Sequence, residues 1–410
     1  MASLHPFRAL RPRPAEARRI AAVPYDVVST DEARALAEGN PLSFLRVSRA
    51  EIELAASTDP YSEAVYRRAA ENFSRLKTDS LVFESEPCVY CYRLRLGSHD
   101  QIGVAACCSI DEYDRDLIKK HERTRRDKED DRTRHMLALG AQTGPVFLTY
   151  RAADGIDAVT RRVTKGEPLF DFEADDHVQH TLWAVGGADR DTLVAEFGRL
   201  PALYIADGHH RAASAARARD AMVARGATGT SMADGADATT MLAVAFPHDQ
   251  VQILAYNRIV RDLGGLSADQ FLADLRERFT LTAGPATPVS RGDIALYFEH
   301  EWRTLRPRTP LDRSDPIASL DVSVLQDQLL APVLNIVDVR TDKRIDFISG
   351  ARGTGSLERL VDSGQGAAAF SLFPVSVADL MAASDAGAIM PPKSTWFEPK
   401  LRDGLLIHVI

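Results

Sequence analysis

Tyr204-Ile205-Ala206-Asp207-Gly208-His209-His210-Arg211 is an apolar run that ends in a glycine-centred cluster of ionisable residues and passes at once into an alanine-rich helical pattern. A strand followed directly by a helix points to an α/β architecture. The same junction concentrates chemistry. The first backbone N–H groups of a helix have no intrahelical partner and lie at the positive end of its dipole, so phosphate or carboxylate oxygens are favoured there. Gly208 lets an oxygen approach the backbone, and Arg211 offers a planar fork for two oxygens. His209 and His210 can exchange protons near neutrality, and Asp207 can hold a metal or take a proton. Singly, each residue is explained as a helix cap or a surface ion pair. Crowded into one turn at a strand end, they read as a functional anion site.

Outward from this junction, Val146–Tyr150, His180–Val185 and Met241–Pro247 read as strands, and Pro87–Leu96 with Ile102–Ile110 as a hairpin across Gly97-Ser98-His99-Asp100. Helices are expected over Thr30–Glu38, capped by Ser29 or Thr30 and stopped at Gly39-Asn40-Pro41, and over Tyr61–Leu76 and Val377–Ser384. Arg19–Val28 is expected to be extended, Asn335–Val339 carries a further element signal, and Gly226–Thr240 reads as a loop or linker. Gly350–Gly355 has the glycines of a phosphate loop, but the lysine that should precede Ser356 is absent, so it reads as a turn. The fold class is α/β (α+β), divided into a core over residues 1–245 and a C-terminal α/β region over 246–410.

A chain of 410 residues, 45% hydrophobic and 26% charged, is long enough for two or three structural units. Its formal net charge of -8 argues against an extended nucleic-acid surface. Five arginines precede Ile20 without an apolar segment behind them, so no secretory signal or membrane span is expected and a cytoplasmic location is the default. Cys88-x-x-Cys91 and Cys107-Cys108 lie in strand-like runs, where neighbouring residues point to opposite faces. They are expected to be buried thiols rather than a metal site.

A second charged block runs from His121-Glu122-Arg123-Thr124-Arg125-Arg126 to Asp131-Arg132. As a helix, it would put His121, Arg125, Lys128, Arg132 and His135 on one basic stripe suited to a polyphosphate. Glu122 would then be available to hold Mg²⁺ or to act as a base. A solvated helix laced with ion pairs is the plain alternative. Lys393 and Lys400, near the C-terminus, offer further phosphate contacts.

Pro24-Tyr25-Asp26-Val27, the His121–Arg132 block, Thr143-Gly144-Pro145-Val146, Ala206–Arg211 and Pro392-Lys393-Ser394-Thr395 together resemble a widespread microbial family long catalogued as a domain of unknown function. The Asp207–Arg211 element is similar to the phosphate-binding turn of the ParB/sulfiredoxin superfamily, in particular of kinases that phosphorylate free serine. The resemblance implies a ParB/sulfiredoxin-like core with large insertions. It also implies phosphoryl transfer to a free hydroxy amino acid, L-serine to O-phosphoserine, using Mg²⁺ and ATP, ADP or pyrophosphate as donor. Those kinases carry an N-terminal catalytic glutamate; Asp26, Glu32 and Glu122 are the candidates for its role here.

These readings assign catalytic roles to Asp207, His209, Glu122 and Asp26. Phosphate binding falls to Gly208, His210, Arg211, Arg125, Lys128, Arg132 and Lys393, and metal binding to Asp207 and Glu122. The expected partner is a small-molecule substrate, with no nucleic acid and no membrane; a homodimer is an allowed assembly. The alternative function is a non-catalytic sensor of nucleotides or phosphometabolites. A sulfiredoxin-type redox role is disfavoured, because the turn has histidine where that chemistry needs cysteine.

Overall fold

A computed structural model describes residues 2–225, 237–312 and 314–410. The expected loop or linker at Gly226–Thr240 falls mostly outside them. The chain forms two compact units: Met1–Lys120 with Thr124–Val251 and Pro399–Ile410, and His121–Arg123 with Gln252–Glu398.

In the first unit, α1 (Thr30–Leu36) starts at Ser29, which forms a reciprocal capping box with Glu32. Helix α2 (Glu63–Asp79) follows, and then the antiparallel hairpin of β1 (Val89–Leu96) and β2 (His99–Ser109). Helix α3 spans Arg126–Leu139. Strands β3 (Val146–Tyr150), β4 (Gln179–Val185) and β5 (Leu203–Asp207) precede α4 (His209–Ala224), which is followed by β6 (Thr240–Pro247). One mixed sheet joins these strands. β5 pairs antiparallel with β3, β3 pairs parallel with β6, and β6, β2, β1 and β4 continue antiparallel.

The central strands β3 and β6 are buried along their whole length, which explains their largely apolar sequences, the Thr149 hydroxyl being met by the Phe246 carbonyl. Leu148, Ile205 and Ala243 join Ile156, Phe197 and Ala212 in the unit's main apolar core. All four cysteines are buried free thiols in or beside this sheet, and burial pushes the Cys91 thiol up to about 12.

The second unit has its own antiparallel sheet. Strand β7 (Tyr256–Val260) lies between β8 (Ile345–Ser349) and β9 (Ala368–Leu372), and Ile294–Phe298, Glu301–Pro307 and Phe279–Ala283 extend the sheet beyond β9. The architecture is α/β in both units, and no helix of the described residues is long and apolar enough to cross a membrane.

Two local expectations are corrected. Arg19–Val28 is not a strand: Ala17–Ile20 is a helical turn, Ala22 makes a single bridge to Asp403, and the Tyr25 region is irregular. Asn335–Val339 forms no regular element, and Asn335 sits at φ 54°.

Gly103 in β2 shows how tightly the sheet is covered. A Cβ there would lie 2.8 Å from the Phe246 ring and from Val244. Gly103→Ala is therefore expected to destabilise the protein by about 1–3 kcal/mol through overpacking. Thermal unfolding of the full chain should show a midpoint several degrees lower; an unchanged midpoint would contradict this packing.

Candidate functional site at the Asp207 turn

The register of β5 against β3 shifts between Ile205 and Asp207, an irregularity that re-aims the strand end. Gly208 then takes φ 93°, a left-handed conformation open to glycine, and α4 begins without a side-chain cap. Gly208 also leaves space. A Cβ on it would meet the Arg211 guanidinium at 3.0 Å from Nε, so that side chain lies directly beneath the turn.

Arg211 is 5% exposed. Its Nη1 donates to the Pro145 carbonyl, and its Nη2 lies 3.7 Å from Asp207 Oδ2. Its buried Nε has no hydrogen-bond partner among the described residues. Burial works against the charge, but Asp26, Asp207 and Asp403 outweigh it and hold Arg211 firmly cationic.

Asp207 receives Lys400 Nζ at 3.0 Å on Oδ2 and the Gly208 N–H at 2.8 Å on Oδ1. Although burial raises its pKa, Lys400 and Arg211 reverse the effect and hold the carboxyl well below the usual range. Asp207 is thus an ionised anchor between two cations.

Lys400 arrives on the C-terminal segment, which the Ala22–Asp403 bridge and the Gly404 N–H to Thr143 carbonyl bond (3.1 Å) fix in place. Asp403, 3% exposed, packs so closely on Gly144 that a Cβ there would come 2.5 Å from its Oδ1. Burial pushes the Asp403 carboxyl up to about 7, with Asp26 adding to the effect and Arg211 and Arg132 opposing it.

Behind these groups is a cavity of about 20 Å³ edged by Tyr25, Arg132, His135, Thr143, Arg211 and Asp403. That is room for one water, not a substrate. It is a supporting layer: Arg132 bonds Asp131 at 2.7 Å and lies 4.2 Å from the Tyr25 ring centre. Asp26 differs from its neighbours in being exposed, and it acts electrostatically on Arg211 and Asp403.

Of the sequence-predicted residues, Asp207, Gly208 and Arg211 lie against one another, and Asp26 acts on Arg211 through its charge. His210 Nε2 accepts the Arg125 N–H at 3.0 Å, which ties the start of α3 to the start of α4. His209 contributes to holding Asp207 ionised.

The basic stripe is corrected. Helix α3 begins at Arg126, so His121 is not on it and Arg125 is its N-cap. The Arg125 side chain pairs with Asp127, and Lys128 donates to the Tyr61 hydroxyl at 2.8 Å. Arg132 and His135 turn inward. Burial lowers the His135 pKa to about 4, and its ring bonds the Val47 carbonyl at 2.9 Å. Glu122 and Lys393 belong to the second unit. Sequence reasoning missed Asp403 and the supporting part played by Tyr25; their only signal was a place beside recognisable motifs.

The family model described as "Protein of unknown function (DUF1015)" matches residues 4–323. The chain belongs to the DUF1015 family. No curated protein matches this DUF1015 chain. Among solved structures, it is similar to a free serine kinase in complex with AMP, at 14% identity and TM-score 0.38, over 75% of this chain and 92% of that one. It is also similar to SbnI with C-terminal truncation from Staphylococcus aureus, at 12% identity and TM-score 0.37, over 73% of this chain and 85% of that one. A conserved hypothetical protein from Pyrococcus furiosus aligns at 12% identity and TM-score 0.35, over 75% of this chain and 95% of that one.

The Asp403 environment has a pH signature in this DUF1015 protein. Between the ordinary carboxyl pKa near 4 and its folded value of about 7, the folded state keeps a proton that the unfolded state has lost. Stability contributed by this group is therefore complete below about pH 4 and lost as pH rises towards 7. Asp403→Asn, which cannot ionise, should gain melting temperature relative to wild type from pH 5 to pH 8. A difference that stays flat in thermal melts across that range would contradict the assignment.

Proposed function

We propose that the protein is a small-molecule phosphotransferase that phosphorylates a free hydroxy amino acid, L-serine to O-phosphoserine, with Mg²⁺ and ATP, ADP or pyrophosphate as donor. The observation that carries this reading is the buried Arg211 guanidinium, its Nε without a hydrogen-bond partner among the described residues, beneath a left-handed Gly208 at the start of α4, which has no side-chain cap. Such a place suits a phosphate: it offers a charged fork, backbone N–H donors and a helix dipole of one sign. The resemblance of Asp207–Arg211 to the turn of free-serine kinases supports the choice of acceptor.

Phosphoryl transfer is accelerated chiefly by positioning and charge neutralisation. Arg211 and the first N–H groups of α4 hold phosphate oxygens, while Asp207 fixes Arg211 and Lys400 in place. Asp26, exposed at the rim, takes the proton of the acceptor hydroxyl as its oxygen bonds to phosphorus and the donor's bridging P–O bond breaks. Mg²⁺, when bound, supplies further neutralisation of the phosphate charge. Asp207 as it stands does not fit the metal role expected of it, because an ammonium group already occupies Oδ2. The same ion pairing favours the second reading, a non-catalytic sensor, since it leaves Asp207 no capacity as a base.

Mass spectrometry after incubation with Mg²⁺, L-serine and each donor separates the two readings. The proposal expects O-phosphoserine with at least one donor. In Arg211→Lys, which keeps the charge but loses the fork, kcat/KM is expected to fall about 10²–10³-fold. Tight donor binding without product would overturn the kinase reading in favour of the sensor.

A further inference from the structure

Arg258, on the internal strand β7 of the second unit, is 2% exposed. Among the described residues its guanidinium donates to carbonyl oxygens only: those of Tyr256, of Lys393 at 3.0 Å and of Pro392 at 3.5 Å. It also lies 5.3 Å from the centre of the Phe347 ring. Among the described residues it makes no ion pair with a carboxylate, and burial lowers its pKa to about 9. Buried charges are ordinarily paired, so an interior guanidinium held by carbonyls alone needs a reason.

The turn that Arg258 grips is itself unusual. Lys393 sits at φ 60°, a left-handed conformation uncommon for a long side chain. Its carbonyl is taken by Arg258, and the Ser394 hydroxyl bonds the Pro391 carbonyl at 2.5 Å, so the turn is held from both sides. The Lys393 ammonium lies 5.5 Å from the Tyr256 ring centre. Tyr256 in turn meets Trp396 and Phe347 edge-on, at 5.4 and 6.0 Å. Backbone strain persists where the surroundings over-determine it, and it clusters at ligand clamps. Here it delivers a cation onto the half-buried Tyr256 ring, at a turn whose backbone is held by Arg258, a cation that pairs with no carboxylate among the described residues.

We propose that this turn, built from Lys393, Arg258 and the ring of Tyr256, is a binding element for a nucleoside phosphate. The phosphate supplies the negative charge that no carboxylate gives Arg258, with Lys393 as its direct contact. The base packs on the Tyr256–Trp396 aromatic group, as bases do on aromatic platforms. The ligand class rests on the phosphotransferase reading; the new element is a nucleoside-phosphate site of the second unit's own.

Equilibrium titrations of the full chain with ATP, AMP and pyrophosphate, each with Mg²⁺, test it. Asparagine tolerates the left-handed region, so Lys393→Asn removes the charge and keeps the turn. It should leave the melting temperature unchanged and weaken ATP and pyrophosphate at least tenfold. Tyr256→Leu, checked for folding by the same melts, should weaken ATP and AMP at least fivefold and leave pyrophosphate unaffected.

Arg211→Lys reports separately on the Asp207 turn. Full ATP affinity in Lys393→Asn with loss in Arg211→Lys overturns this proposal and leaves the phosphotransferase reading standing. Loss in Lys393→Asn with none in Arg211→Lys supports this proposal and removes the phosphate from the Asp207 turn. Equal weakening of pyrophosphate by Lys393→Asn and Tyr256→Leu overturns the nucleoside assignment. Wild-type protein that binds none of the three overturns both readings.

Discussion

A guanidinium shut away from water must be neutralised by its surroundings, and in this protein the arrangement around Arg211 follows from that requirement. Three carboxylates, Asp26, Asp207 and Asp403, hold Arg211 cationic from different parts of the chain. Asp207 comes from the end of β5, Asp26 from an irregular N-terminal loop, and Asp403 from the C-terminal segment. The last of these is brought home by its bridge to Ala22 and by the Gly404 contact with Thr143.

The balance is uneven in a useful way. Asp207 is firmly ionised between Lys400 and Arg211, whereas Asp403 is carried up to about 7 by burial. One carboxylate is therefore a permanent anchor, and the other changes charge near neutrality. The Nη1 atom of Arg211 is committed to the Pro145 carbonyl while its Nε is uncommitted among the described residues. Paired side chains with separated ionisation are a usual mark of sites that handle charge.

Part of this was readable in the sequence, because the strand-to-helix junction at Asp207–Arg211 and the Thr143-Gly144-Pro145 turn are short-range patterns. The strands 146–150 and 241–247 were legible from largely apolar runs, and the α1 cap from Ser29 and Glu32. The irregular run after Ile20 was not, since Ala22 is buried in a core assembled from Phe44, Phe73 and Ile407 rather than in a strand ladder. The basic stripe failed for a related reason: spacing gives the azimuth of a side chain on a helix, not which azimuth faces the core. Arg132 and His135 face inward because Asp131, Tyr25 and the Val47 carbonyl receive them there. Asp403 was invisible because Arg211, Asp26 and Arg132, which act on it, come from distant parts of the chain.

The most direct test is a crystal structure of the full chain grown with Mg²⁺ and ADP. The account predicts a phosphate oxygen within about 3.2 Å of Arg211 Nε and of a backbone N–H in the first turn of α4. The Asp207–Lys400 pair should be retained. A nucleotide bound with its phosphates away from the Asp207–Arg211 turn, and Arg211 Nε still without a partner, would contradict it.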